Sequence, residues 1–482
     1  MLLSTLFKGA PDIEIEQISA DSRIPMKNAV FFCMSGIKDN GHRFVKEAVK
    51  NGAKVIVYSE ELEDKPKAVY IKVKNVSEAL KRAANIFYDY PNKNIDTYIV
   101  SGTYGRASVA KIIHTILNKK MPSAYIGILG IQYQDKNYKM NFPTLSAIDN
   151  IKVLYNLRNE GIRATTFEAT GSSLYLKKLD VVSPEVFVFT GCDERSLEYK
   201  SSSKEYYNWI RRYLYTLEDY TKIIINCDDS SYDELRDAGE NLITYGTDKD
   251  ADYCISNPTV TNRNISFRLN VNNLYYDITC PLKGYVNIYN LTAAIASLHE
   301  MNYSMEDIIS SLNDIEDVEG IYQSVDDEYN VYIDCAYDEC SVEEIEKFAR
   351  NITKGRVITV FGTDFYDEES RMSRISDILN KYSDVVILTE DASHEGEVSE
   401  ILSRWDKFNT KNRFLKCLYR SSAIDNAISL LNSEDVLLIL GKGNETFLTM
   451  GLGKEKYYGD AYYAIKYIKE GKDEENETEQ IY

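Results

Sequence analysis

The segment Gly102-Thr103-Tyr104-Gly105-Arg106-Ala107 does most to limit what this chain can fold into. It joins an apolar strand, Tyr98 to Val100, to a stretch carrying Val109, Ile112, Ile113, Ile116 and Leu117 at helical spacing. Glycines at such a junction let backbone N–H groups and the helix N-terminus cradle an anion. A loop that handles phosphate adds a lysine for the outer phosphates and a Ser or Thr hydroxyl for magnesium. This chain places Arg106 and Ala107 there. Two readings stay open: a residual nucleotide site built on Gly102, Thr103, Gly105 and Arg106, or a turn that only links strand to helix.

Strands and helices alternate on both sides of this loop. Before it, 29–33, 54–58 and 68–73 read as strands, 44–51 and 76–88 as helices, and Tyr90-Pro91-Asn92 as a break. After it, strands are expected at 164–167, 186–189, 222–226 and 242–245. The pattern then changes between Tyr253 and Thr279 to strand alternation with Asn-rich turns, which predicts antiparallel ribbons. Helices at 288–300 and 305–313 lead to a boundary at Glu319-Gly320. A new alternation follows, with strands at 331–334, 356–361, 385–388 and 436–440. Such alternation predicts an α/β fold with parallel sheets covered on both faces. From Lys472 the chain is acidic and polar, which predicts a tail without structure.

With 482 residues the chain exceeds one ordinary core. The net charge of -19 argues against nucleic acid or an anionic membrane surface as the main partner. No apolar run approaches the ~20 residues that span a bilayer, and the first residues do not read as a signal peptide. The eight cysteines are scattered without a C-x-x-C pair, and the four histidines do not cluster. Reduced thiols are expected, and a histidine-rich metal centre is not.

The order of these pieces resembles the Mur ligase family, cytoplasmic three-domain enzymes that build the peptide stem of peptidoglycan. The resemblance covers nearly the whole chain. It rests on Asp21-Ser22-Arg23, on Gly36 to Phe44 with Asp39, Gly41 and His42, on the loop Gly102 to Arg106, on Asn287-Ile-Tyr-Asn290, and on Gly441-Lys442-Gly443-Asn444-Glu445. The N-terminal part looks most like the member that adds the third residue to UDP-N-acetylmuramoyl-dipeptide. The resemblance implies an N-terminal UDP-sugar-binding-like α/β domain at 1–92 and a central P-loop-like parallel-sheet ATPase domain at 93–318. It further implies a C-terminal Rossmann-like domain at 319–471, ahead of the acidic tail at 472–482.

Family members phosphorylate a carboxylate with ATP and let an amine attack the acyl-phosphate, using a charge clamp and magnesium. Against the family pattern Gly-Thr-Asn-Gly-Lys-Thr, this chain has Tyr104, Arg106 and Ala107. Arginine keeps the charge but not the compact ammonium. Glu168 matches the magnesium glutamate, whereas a family histidine aligns with Ser172. The segment Asn-Leu-x-x-Asp-His aligns with Gly191 to Ser196, and the lysine that the family carbamylates falls on Ile210. Tyr199 and Glu205 to Tyr207 keep the frame. In the last domain Asp391 survives from the amino-acid-choosing segment, followed by Ala392, Ser393 and His394; Lys442, Gly443 and Glu445 also persist. Asn287 and Asn290 match adenine-side asparagines, or cap a helix start. Ser22, Asp39, Gly41 and His42 match the uridine-diphosphate region, or a polar turn. Thr144 is one of two family threonines that remains.

These departures fall on phosphoryl transfer. The expectation is a cytoplasmic ligase-like protein that has lost amide-bond formation and acts as a binding or regulatory module. Its expected ligand is a UDP-N-acetylmuramoyl-peptide or another UDP-sugar, and its expected partner an active Mur ligase. The other reading is an active ligase needing ATP and Mg2+, with Arg106 as clamp and Glu168 joined by Asp193 or Glu194 at the metal. In the first reading no cofactor is required. A scaffold holding neither ligand is a third.

Overall fold

Apolar strands with polar turns set three blocks of structure. The computed structural model of the protein describes every residue except 37–39, 64, 141–144, 198–201, 240, 327, 365–367, 394–396, 412, 451–452 and 480–482. The described residues divide into two compact units: 1–192 with 197–244 and 296–301, and 193–196 with 245–295 and 302–482.

The first unit holds two parallel sheets. One orders Gln17–Ser19, Ala29–Phe32, Ala53–Tyr58 and Val69–Lys72 side by side, all parallel. The other runs Lys222–Asn226, Val186–Phe189, Asp96–Ser101, Ala164–Ala169 and Ser123–Gly127 in parallel. It ends in an antiparallel meander through Gly130–Tyr133 and Lys136–Tyr138 that the sequence pattern did not reveal. The helix Arg106–Asn118 buries Val109, Ile112, Ile113, Ile116 and Leu117, the five residues whose spacing predicted it. Apolar side chains of the two sheets and the helices beside them form one cluster: Leu3, Phe32, Val57 and Leu80 belong with Ile99, Leu154, Phe167 and Phe187. Such a shared core explains why the first ninety residues do not separate as a unit of their own.

The second unit contains the expected antiparallel ribbon, Tyr253–Val260, Ile265–Val271 and Leu274–Cys280. Its other sheet runs Asn330–Asp334, Val436–Leu440, Val357–Asp364 and Val385–Ser393 in parallel, the order of a crossed-over α/β sheet. Helices Glu339–Ile352 and Glu369–Tyr382 cover one face with Val342, Ile345, Ile375 and Leu379. The helix Arg420–Ser429 covers the other with Ala423, Ile424 and Ala427. The tail departs from expectation, because the helix Asp460–Glu479 takes in residues 472–479. Stacked Tyr463 and Tyr467 and the i,i+4 pair Lys466–Glu470 carry the helical turn toward that acidic stretch. No helix among the described residues is long and apolar enough to cross a membrane.

Candidate functional site

The strand Asp96–Ser101 lies between Val186–Phe189 and Ala164–Ala169, so the loop after it opens at the carboxyl edge of the sheet. Gly105 takes a φ of 73°, a left-handed conformation suited to glycine, and starts the helix. Arg106 does not reach outward. Its Nη1 donates to the Gly102 carbonyl of the same loop, and its buried Nε has no hydrogen-bond partner among the described residues. Thr103 N–H donates to Gly191 O at 3.0 Å, and Thr190 Oγ1 donates to Tyr104 O. Tyr104 Oη donates to Asp229 Oδ2 at 2.7 Å. Asp229 Oδ1 in turn accepts from Cys192 N–H at 3.2 Å and Ser231 N–H at 2.9 Å. Ala107 supplies no side-chain oxygen.

Glu168 stands near the end of its strand, 5% exposed. Its Oε1 accepts from the Tyr125 hydroxyl and from Ile128 N–H at 3.1 Å. Tyr125 comes from the neighbouring strand, where it pairs in register with Thr166, placing Glu168 two residues along the same face. Burial raises the Glu168 carboxyl above its ordinary pKa, opposed by the Tyr125 bond and the Arg106 charge. This glutamate is therefore a buried acceptor under a phenol, engaged through Oε1. The remaining metal positions are also committed elsewhere. Ile210 is a core residue, and Ser172 Oγ bonds Thr170 Oγ1 at 2.9 Å. In the second unit, Arg195 clamps Asp193 through Nε at 3.0 Å and Nη2 at 2.7 Å. Burial would raise the Asp193 carboxyl, but the Arg195 bonds hold it at about 2. Ser196 Oγ donates to Asp338 at 2.8 Å. No group of three or more His, Cys, Asp or Glu among the described residues is arranged to hold a metal ion. Arg106, Glu168 and Asp193 are thus each bonded to other groups of the chain.

The N-terminal candidates are bound up in local structure. Ser22 Oγ donates to Glu47 Oε2 at 2.5 Å, and Gly41 N–H donates to Met34 O at 2.8 Å. His42 Nε2 accepts from Ser59 N–H at 3.0 Å and Glu60 N–H at 3.2 Å, while Nδ1 faces Asn40 Oδ1 at 2.7 Å. That pattern assigns the proton to Nδ1 and leaves the ring neutral. Burial agrees, lowering its pKa. Asp39, Thr144, Tyr199 and His394 lie outside the described residues. In the second unit Asn287 Nδ2 donates to Lys283 O at 2.7 Å, and Asn290 Nδ2 to Asn287 Oδ1 at 2.8 Å. Both side chains lie buried in the first turns of the helix Val286–His299, and neither of these bonds caps a backbone N–H.

The C-terminal candidates do come together. Lys442, 3% exposed, donates to Asp391 Oδ1 at 2.8 Å and Glu445 Oε2 at 2.9 Å. Burial would lower the ammonium pKa, but the two carboxylates outweigh it and hold the value raised. Gly443, with φ 54°, brings the turn against Cys335 and Gly320. Arg420, fully buried, bonds both oxygens of Asp460 at 2.7 Å, donates to Leu440 O at 2.9 Å and lies behind Asp391. Sequence reasoning singled out none of Tyr125, Asp229, Arg420 and Asp460. For Asp229, the run Asp228-Asp229-Ser230-Ser231 after an apolar strand was a usable signal; Tyr125 offered none.

Three family models match the chain. "Mur ligase family, catalytic domain" matches residues 14–88, "Mur ligase middle domain" 100–298, and "Mur ligase, glutamate ligase domain" 320–443. Among curated relatives, UDP-N-acetylmuramoyl-L-alanyl-D-glutamate--2,6-diaminopimelate ligase 2 of Clostridium acetobutylicum is 29% identical over 459 residues, 93% of this chain and 94% of the relative. The correspondingly named ligase of Clostridioides difficile is 27% identical over 464 residues, 94% of each. A solved UDP-N-acetylmuramoyl-L-alanyl-D-glutamate--2,6-diaminopimelate ligase superposes with a TM-score of 0.73 at 19% identity, covering 98% of this chain and 99% of that one. The MurF ligase of Thermotoga maritima, solved with ADP, has a TM-score of 0.60 at 13% identity, covering 94% and 97%. At those identities the structures speak for the fold. With three successive domain models matched along it, this α/β chain belongs to the Mur ligase family.

Proposed function

We propose that this protein serves peptidoglycan precursor synthesis as a binding or regulatory module and no longer forms an amide bond itself. One observation carries the reading: the groups that would handle phosphate and magnesium bond the chain's own atoms. Arg106 bonds Gly102 O, Tyr104 bonds Asp229, and Glu168 lies under Tyr125. Removing one preorganised charge contact from such a centre lowers the rate by ~10²–10³, and several losses seldom leave turnover. The ligand we assign is a UDP-N-acetylmuramoyl-peptide or related UDP-sugar, held by the domain at 1–92 with Ser22, Gly41 and His42. The partner is an active Mur ligase, and the compartment is the cytoplasm. The central and C-terminal domains are taken as 93–318 and 319–471.

Phosphate release tests this directly. The full chain with ATP, Mg2+, UDP-N-acetylmuramoyl-dipeptide and diaminopimelate or lysine should release none above background. Turnover with a defined tripeptide product would overturn the reading. Titration with the dipeptide precursor alone should give saturable heat, and a silent titration removes the assigned ligand. The intact Asp391–Lys442–Glu445 cluster favours the second reading, an active ligase with a rearranged phosphate site.

A further inference from the structure

Two departures from the family pattern, far apart in sequence, meet in space. Tyr104 stands where the loop pattern has asparagine, and Gly191 stands where the segment after the next strand has asparagine. The larger residue fills what the smaller one leaves. A Cβ built on Gly191 would come 2.0 Å from the Tyr104 hydroxyl oxygen and 2.7 Å from Asp229 Oδ2. Gly191 also takes a φ of 138°, which side-chain-bearing residues rarely adopt. The hydroxyl is bonded to a carboxylate at 2.7 Å, a charge-assisted bond of the stronger kind. That carboxylate is itself fixed by Cys192 N–H and by Ser231. Thr190 holds the Tyr104 carbonyl, and Gly191 O holds Thr103 N–H.

We propose that Tyr104, seated over Gly191 and bonded to Asp229, is a latch that closes the glycine loop against a nucleotide's phosphates. This deepens the functional reading above and rests on it. Missing catalytic groups alone would leave a loop that binds ATP without using it. The latch removes the binding too, because Thr103 N–H and the Tyr104 carbonyl are held by the Thr190–Gly191 turn. Arg106 turned onto Gly102 O completes the closure.

Hydrogen exchange and nucleotide titration on the full chain test it. Tyr104→Phe removes only the hydroxyl and keeps the ring in place, so the fold is retained. Peptides covering 102–106 should exchange at least ten-fold faster in this variant, with the 253–280 ribbon unchanged. Tyr104→Asn should bind the fluorescent analogue N-methylanthraniloyl-ATP at least ten-fold tighter than the unaltered chain. Equal exchange in Tyr104→Phe, or equal affinity in the unaltered chain and Tyr104→Asn, overturns the latch. Failure of the functional reading shows differently, as amide product from the unaltered chain, which neither readout measures.

Discussion

The carboxyl edges of two parallel sheets in this chain treat charge in opposite ways. At the edge carrying Gly102 to Ala107, each polar side chain turns to a near neighbour: Arg106 to a loop carbonyl, Tyr104 to Asp229, Glu168 to a phenol. At the edge carrying Gly441 to Glu445, a buried ammonium sits between two carboxylates, with a buried guanidinium behind them. The first edge spends its polar groups on one another. The second still gathers charge at low exposure, which a protein keeps only where the pairing is complete.

The largest way to break that contrast is to remove one partner of the deepest pair. Arg420→Met leaves Asp460 buried without its cation, and urea unfolding should show a loss of about 3–5 kcal/mol. A change below 1 kcal/mol would mean that the second edge is held by packing alone.

Next comes pH. Glu346, wholly buried, accepts from Thr359 Oγ1 at 2.6 Å and Ser383 Oγ at 2.8 Å, with Arg350 and Asp384 the nearest charges. Burial lifts its carboxyl from 4.5 to about 7. A folded value above the unfolded one means the folded state prefers the proton. The stabilisation is full below pH 4.5 and lost as pH rises through about 7. Between those limits stability should fall by about 3 kcal/mol, and Glu346→Gln should flatten that slope. Melting curves that keep the slope in the variant would assign it elsewhere, for instance to Asp334, which burial also lifts to about 7.

A smaller effect is expected at the first edge. Tyr125→Phe strips a donor from buried Glu168 and should destabilise by about 1–3 kcal/mol. If Glu168 were instead an open metal ligand, the same change would leave stability untouched. The least change is expected from Arg106→Lys with Ala107→Thr, which restores the family loop residues. Stability should move by no more than about 0.5 kcal/mol, and calorimetry with ATP should stay silent until Tyr104 is replaced as well.

Much of the architecture could be read from periodicity. The strand–helix alternation, the ribbon from Tyr253 and the helix after Gly105 rest on local spacing of apolar residues, and local spacing is what folds them. The meander at Ser123 to Tyr138 escaped because its last strand is exposed and carries no apolar alternation. The cluster at Lys442 was legible because its partners Glu445 and Asp391 lie in segments that match family motifs. Tyr104 and Asp229 lie 125 residues apart, and the hydroxyl that covers Glu168 comes from 43 residues away. Motif comparison located the departures from the family pattern but had no means to show which residues they bond.

The single apolar cluster running from Leu3 to Phe187 has a practical corollary. A fragment ending near Asn92 would keep its own cluster around Phe31, Val45 and Ile56 but would present to water the flank on which Ile99 and Leu154 rest. The N-terminal sheet therefore cannot be truncated from the chain without exposing apolar side chains of the sheet beside it. Any change there is felt by both.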